Sequence, residues 1–127
     1  IEVHLLTIPS IYDKMYSKLE ELKLERVKLL PKTKNILEAA AIIKYSDMLF
    51  SVDTGVVHIA SVYNIPIVAI YTEDEDTLRI FAPKSDISSI IIGKKEENLK
   101  IIDKEEVIKK IEETLEKMEI LYGKYKL

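Results

Sequence analysis

The apolar run Pro66–Tyr71 (PIVAIY) constrains the fold of this chain more than any other feature. The stretch Asp47–Val52 (DMLFSV) likewise shows almost no alternation of polar and apolar residues. A strand that is apolar on both sides has to be covered on both faces, which is typical of a parallel sheet between layers of helices. Both stretches are therefore predicted to be strands of such a sheet.

Segments with helical spacing alternate with these strands along the chain. Further strands are predicted at Val3–Ile8, Val27–Leu30 and Ser88–Ile92. A first helix is predicted after the N-cap Ser10, with the apolar stripe Ile11, Met15, Leu19 and Leu22. Two shorter helices are predicted at Ile36–Lys44, after the N-cap Asn35, and at Gly55–Tyr63. A last helix is predicted from the cap Asp103 to Gly123, with the apolar stripe Val107, Ile108, Ile111, Leu115, Met118 and Leu121. This alternation with short connections predicts an α/β fold with a doubly wound parallel sheet.

Composition excludes several classes of protein. The 127 residues fit one domain that is long enough to bury a core. The net charge is −3, and lysines alternate with glutamates, so no nucleic-acid partner is predicted. The absence of cysteine excludes disulfides and thiolate metal sites. No signal peptide and no apolar stretch of roughly 20 residues is present, which predicts a cytoplasmic protein without a transmembrane segment.

Residues 51–58 (SVDTGVVH) place the triplet Asp53-Thr54-Gly55 directly after an apolar strand. Three interpretations are open: the catalytic loop of an aspartic protease, a helix cap, or a turn that binds an anion. The protease needs two carboxylates that share a proton, on a nearly all-β fold rich in glycine. Because the chain has 3 glycines and helical patterns flank the triplet, the protease interpretation fits poorly.

The anion-binding interpretation follows from the predicted position of the triplet. It lies where a strand ends and a helix begins, at the carboxyl edge where α/β sheets bind ligands. The first turn of a helix has unpaired N–H groups that favour phosphate. Gly55 would allow a ligand close to the backbone, the Thr54 hydroxyl adds a donor, and His58 lies one turn further along. The alternatives, Asp53 as a cap only and His58 as a structural residue, stay open.

The run Leu29–Tyr71 resembles the C-terminal domain of the heptosyltransferases, glycosyltransferase family 9. That family has a helix of the type Leu-Glu-x-Ala-x-x-Ile, then Asp-hydrophobics-Ser-x-Asp-Thr-Gly-x-x-His-x-Ala, then a strand that begins with proline. The matching residues are Leu37, Glu38, Ala40, Asp47, Ser51, Asp53, Thr54, Gly55, His58, Ala60 and Pro66. The resemblance implies a Rossmann-like half of a GT-B glycosyltransferase.

The resemblance also implies a site. The family loop contacts the diphosphate of a nucleotide sugar, which is ADP-heptose in the best-known members. We therefore expect the donor diphosphate to bind Asp53, Thr54, Gly55 and His58. Further expected donor contacts are Asp13, Lys32 and Thr33. The alternative for Asp13 is that it stabilises a helix N-terminus. The alternative for Lys32 is a solvated position on the surface.

The implied reaction is inverting transfer of the sugar to the lipopolysaccharide core, with neither a metal ion nor another cofactor. The chain begins inside a predicted strand at Ile1, so residues 1–127 are expected to be the C-terminal nucleotide-sugar-binding domain of a longer protein. The catalytic base and the acceptor site are then expected in an N-terminal domain, and the fragment alone should be inactive. The implied partners are an ADP-sugar and the core acceptor, at the inner face of the inner membrane in the full-length enzyme.

One departure from the family pattern keeps other functions open. Tyr71 is followed by Thr72-Glu73-Asp74-Glu75, where the family has Gly-Pro-Thr, and Asp76 continues this acidic run. We interpret Thr72–Asp86 as a polar stretch, and its acids Glu73–Asp76 as a solvated loop in preference to a metal site, because no histidine and no ordered ligand spacing accompanies them. The alternatives are another GT-B sugar-nucleotide protein such as an epimerase, or a non-catalytic α/β module that binds a protein partner. The acids favour the second alternative, because they disfavour a phosphate nearby.

Overall fold

A computed structural model of the protein describes residues 1–72, 75–93 and 102–123. The chain divides into two compact units, Ile1–Ala39 and Ala40–Leu127, and the boundary falls inside one helix. In chain order the elements are β1 (Val3–Leu5), α1 (Tyr12–Leu22), β2 (Val27–Leu29), α2 (Ile36–Lys44), β3 (Leu49–Val52), α3 (Gly55–Val62), β4 (Ile67–Thr72), α4 (Glu75–Phe81), β5 (Ser88–Gly93) and α5 (Lys104–Tyr122).

The first unit is one β-α-β segment, in which β1 and β2 pair in parallel. The sequence pattern placed the start of its helix at Ser10, and this is wrong. A 3-10 turn comes first, at Pro9–Ile11, and α1 begins at Tyr12 without a side-chain cap. Proline fixes its own φ near the helical value, so the chain enters a helical turn at Pro9, ahead of the serine.

The second unit contains a three-stranded parallel sheet in the order β3-β4-β5. Its middle strand β4 is buried from Ile67 to Tyr71. Side chains of β4 alternate between two apolar clusters, one formed with α2 and α3 and the other with α5. Helices therefore cover both faces of β4, which confirms the α/β class and the parallel, Rossmann-like arrangement. The strands form two sheets, one in each unit, where the sequence pattern suggested one.

The terminal helix α5 has the predicted caps. Asp103 accepts a hydrogen bond from the Glu105 N–H at 2.9 Å, and Gly123 ends the helix with φ +65°. The predicted apolar stripe is only partly correct, because Ile108 and Leu121 are exposed to 55% and 63%. The buried face instead includes Thr114, whose hydroxyl lies 3.0 Å from that of Ser89 on β5.

The acidic run Glu73–Asp76, within the polar stretch Thr72–Asp86, was predicted to be a solvated loop, and this is wrong for its last two residues, which begin a helix. Residues Glu75–Phe81 form the helix α4, which carries the half-buried Leu78 against the α2 and α3 side of the sheet. Glu73 and Asp74, two members of the predicted acidic run, lie outside the described residues. The helix has only 7 residues, EDTLRIF, which is too short for a helical period to be recognised in the sequence.

Candidate functional site

The turn between β3 and α3 lies at the carboxyl end of the sheet in the second unit. Strand β3 ends at Val52, and the Asp53 N–H donates to the Ile70 carbonyl of β4 at 2.9 Å. This bond continues the β3–β4 ladder by one residue, so the turn is fixed to the buried middle strand. Asp53, Thr54, Gly55 and His58 are all exposed, as a ligand site at this edge requires.

Thr54 is the N-cap residue of α3 by its extended backbone, but its side chain does not cap the helix. The Thr54 hydroxyl lies 3.2 Å from the Ser51 hydroxyl, and the Ser51 hydroxyl donates to the Val52 carbonyl at 2.8 Å. Since a serine hydroxyl has one proton, Thr54 is the donor within this pair. The Thr54 hydroxyl would therefore have to turn away from Ser51 to donate to an anion.

The first turn of α3 has N–H groups available for a ligand. Val57 donates to the Thr54 carbonyl at 3.1 Å, whereas Gly55 and Val56 donate to no acceptor among the described residues. In the part of the chain that the structure describes, a Cβ atom built on Gly55 would meet no atom within 4 Å beyond those of its chain neighbours and its own helix backbone. Glycine is therefore not required there by packing, and the exposed backbone can approach an anion closely.

His58 contacts an aromatic side chain of α4. The ring centroids of His58 and Phe81 lie 5.9 Å apart with an angle of 64° between the planes, an edge-to-face arrangement. The carbonyl of Phe81 in turn accepts a hydrogen bond of 2.7 Å from the hydroxyl of Tyr71, whose side chain is fully buried. Burial, with the negative charge of Asp53, raises the pKa of the Tyr71 phenol above its ordinary value.

Three contacts of the site were absent from the predicted set. Ser51 was part of the family pattern, so its place beside Thr54 had a signal in the sequence. Tyr71 had a weaker signal, as a phenol at the end of an apolar strand. Phe81 had none, because no helix was predicted in the polar stretch that carries it.

The remaining predicted residues belong to the first unit. Lys32 lies with its ammonium 3.6 Å from the Asp13 carboxylate and 5.1 Å from the centre of the Tyr12 ring. Both charged side chains are exposed, so this ion pair contributes little to stability. Thr33 is half-buried, between β2 and the start of α2. The structure thus brings Asp13 and Lys32 together in one unit, and the residues of the Asp53–His58 turn together in the other.

A parallel α/β arrangement with a polar turn and unpaired helix N–H groups at the carboxyl ends of its strands defines a Rossmann-like domain with a candidate anion site. The model of glycosyltransferase family 9 (heptosyltransferase) matches residues 5–112, and the chain belongs to this family. The general activity of the family is glycosyl transfer from a nucleotide-sugar donor to an acceptor. No curated protein and no solved structure matches the chain. None of the helices in residues 1–72, 75–93 and 102–123 is long and apolar enough to cross a membrane.

Proposed function

We propose that this chain is the nucleotide-sugar-binding domain of an inverting glycosyltransferase that uses an ADP-heptose-like donor and acts in assembly of the lipopolysaccharide core. The observation that carries the proposal is the turn Asp53–His58, which lies within the family match and exposes the first N–H groups of α3 at the carboxyl edge of the sheet. An α/β sheet binds its ligand at this edge, and a helix N-terminus favours a diphosphate.

The turn would act on the leaving group. Transfer of the sugar leaves negative charge on the diphosphate, and donors that are fixed before the reaction stabilise this charge most effectively. The N–H groups of Gly55 and Val56 are such donors, because the Asp53 N–H holds the turn against β4. The Thr54 hydroxyl and an imidazole N–H of His58 are the side-chain donors of the same site.

The two acidic residues among the predicted donor contacts have other roles. The Asp53 carboxylate is exposed and would repel a diphosphate in direct contact, so its contribution is the shape of the turn. Asp13 holds Lys32 within 3.6 Å, and this lysine could exchange the carboxylate for a donor phosphate. Lys32 and Thr33 are thus proposed as secondary donor contacts, with Asp13 as the residue that keeps the lysine in place.

Titration of the ¹⁵N-labelled protein with ADP, and in parallel with UDP and GDP, tests donor binding. We expect saturable shifts of the Gly55 amide and of the His58 ring, with the strongest binding for ADP. If only UDP or GDP binds, the base of the donor is not adenine, but the proposed diphosphate site is retained. Shifts that are absent with all three nucleotides would contradict the proposed function.

The chain has two histidines, which gives a matched pair of variants. His58→Gln removes the imidazole from the turn, and His4→Gln removes an exposed imidazole from β1 in the first unit. We expect a lower ADP affinity for His58→Gln and an unchanged affinity for His4→Gln. Equal effects of the two substitutions would mean that His58 is not a ligand of the diphosphate. In the full-length enzyme, the anomeric configuration of the product tests inversion.

A further inference from the structure

We propose that Tyr71 and Phe81 are positioning residues for His58, so that the aromatic end of α4 orients the imidazole toward a donor phosphate. Tyr71 fixes the last turn of α4 through a hydrogen bond, and Phe81 fixes the His58 ring through direct contact. This inference rests on the proposed function, because it concerns the ligand of the same turn. It adds two residues of this chain that the sequence pattern did not predict.

The first step is the connection between β4 and α4. Tyr71 is 0% exposed, and its hydroxyl donates to the Phe81 carbonyl at 2.7 Å. The last carbonyl groups of a helix have no partner within the helix, so this bond satisfies one of them. Because β4 is the most buried strand of the unit, the end of α4 is attached to the most rigid part of the sheet.

The second step is the contact between Phe81 and His58. The centroid distance of 5.9 Å and the angle of 64° lie within the range preferred by aromatic pairs. An exposed histidine near a helix N-terminus otherwise exchanges between side-chain rotamers. Among the described residues no hydrogen bond to the His58 imidazole is present, so the ring contact orients the side chain and leaves its nitrogens available to a ligand.

The third step is the protonation of Tyr71. Burial and the nearby Asp53 both disfavour the phenolate, so Tyr71 keeps its proton and remains a donor to Phe81 at neutral pH. The same carboxylate belongs to the proposed diphosphate turn. The Tyr71 phenol therefore interacts with both parts of the site, electrostatically with Asp53 on the β3–α3 turn and through its hydrogen bond with Phe81 on α4.

The test uses two substitutions and a matched control. Tyr71→Phe removes only the hydroxyl, and Phe81→Leu removes the ring but keeps the carbonyl that Tyr71 contacts. Thr114→Val is the control, because it removes another buried hydroxyl, one that donates to the Lys110 carbonyl at 2.8 Å on α5. The readouts are the His58 ring resonances without ligand, assigned with His4→Gln, and the affinity for ADP.

Both substitutions should move the His58 resonances and weaken ADP binding, by about threefold to tenfold for Tyr71→Phe, which is the usual effect of one lost hydrogen bond. Thr114→Val should lower stability and leave both readouts unchanged.

Resonances or an ADP affinity that neither Tyr71→Phe nor Phe81→Leu alters would overturn the positioning role. Since Phe81 is 45% exposed, its variant should fold even if Tyr71→Phe does not. A wild-type protein that does not bind ADP would contradict the proposed function, whereas the ligand-free resonances report the ring contact by themselves.

Discussion

Packing in the fold does not require a glycine at position 55, and the role proposed for Gly55 is in ligand binding. Its backbone begins α3, and a side chain at this position would point into open space. A glycine that packing does not require costs conformational entropy on folding without a return in the fold. The proposed diphosphate site gives this glycine a reason, because an anion must come within hydrogen-bond distance of the backbone.

Substitution of Gly55 by alanine should separate these two effects. We expect Gly55→Ala to fold and to gain up to about 1 kcal/mol of stability, because alanine restricts the unfolded chain and favours the helix. The added methyl group should lower ADP affinity, since it stands where the anion approaches. Denaturant unfolding and an ADP titration measure the two quantities. An affinity equal to that of the wild type would show that no ligand approaches the backbone at this turn.

The raised pKa of Tyr71 should appear as an alkaline limit of stability. Above the ordinary tyrosine value of 10.0, the unfolded chain releases this proton more readily than the folded chain does. The folded state then binds more protons than the unfolded state, so the free energy of unfolding falls as the pH rises. The free energy of unfolding of Tyr71→Phe should fall less between pH 8 and about pH 11 than that of the wild type. Tyr45→Phe, at a residue that is 83% exposed, is the control and should behave like the wild type.

The secondary-structure elements differ in how clearly the sequence specifies them. Strand β4 and the caps Asn35, Asp103 and Gly123 were predicted correctly, because each depends on local chemistry. The start of α1 was wrong, since Pro9 opens a separate 3-10 turn. Helix α4 was missed because it has 7 residues and its packing against the sheet, more than its own sequence, stabilises it.

The Asn35 side chain caps the N-terminus of α2. The Asn35 Oδ1 accepts hydrogen bonds from the N–H groups of Leu37 and Glu38 at 3.0 and 3.1 Å. Asn35→Ala should lower the free energy of unfolding by about 1 kcal/mol, the usual value for a lost N-cap. Asn35→Asp keeps an acceptor oxygen and should stay close to the wild type. Equal losses in the two variants, measured by denaturant unfolding, would show that another feature of the residue is responsible.

The residue that caps the C-terminus of α1 has a strained backbone conformation, which a glycine would relieve. Lys23 caps this helix in the left-handed conformation, with φ +49°, where a side chain is unfavourable and glycine is not. We expect Lys23→Gly to raise the free energy of unfolding by roughly 0.5 to 1 kcal/mol. Lys14→Gly places the same substitution inside α1 and should be destabilising by about 1 kcal/mol. A destabilising Lys23→Gly would mean that the αL residue contributes more through its side chain than it costs in strain.

At the scale of the whole molecule, the part of the site that could be predicted is the part that is continuous in sequence. Asp53 and Thr54 lie on the β3–α3 turn and Gly55 and His58 on the first residues of α3, so their proximity follows from the strand-to-helix pattern alone. The contact of His58 with Phe81 joins residues on different elements, and its geometry depends on how α4 packs. The hydroxyls of Ser51 and Thr54 form a hydrogen bond with each other, and a sequence pattern does not show which of the two donates.

A ligand that binds only the folded chain raises its stability with concentration, which connects the site to the molecule as a whole. At 100 times its dissociation constant, a single-site ligand adds about 2.7 kcal/mol to the free energy of unfolding. We expect ADP to raise the unfolding temperature of the wild-type protein progressively, and to do so less for His58→Gln. Gly55→Ala should be the more stable protein without ADP and the less stable one at high ADP, so its curve crosses that of the wild type. Such a crossing requires a ligand at the turn, because a purely structural effect of the methyl group would shift the whole curve in parallel. Parallel curves would therefore place ADP binding elsewhere or exclude it.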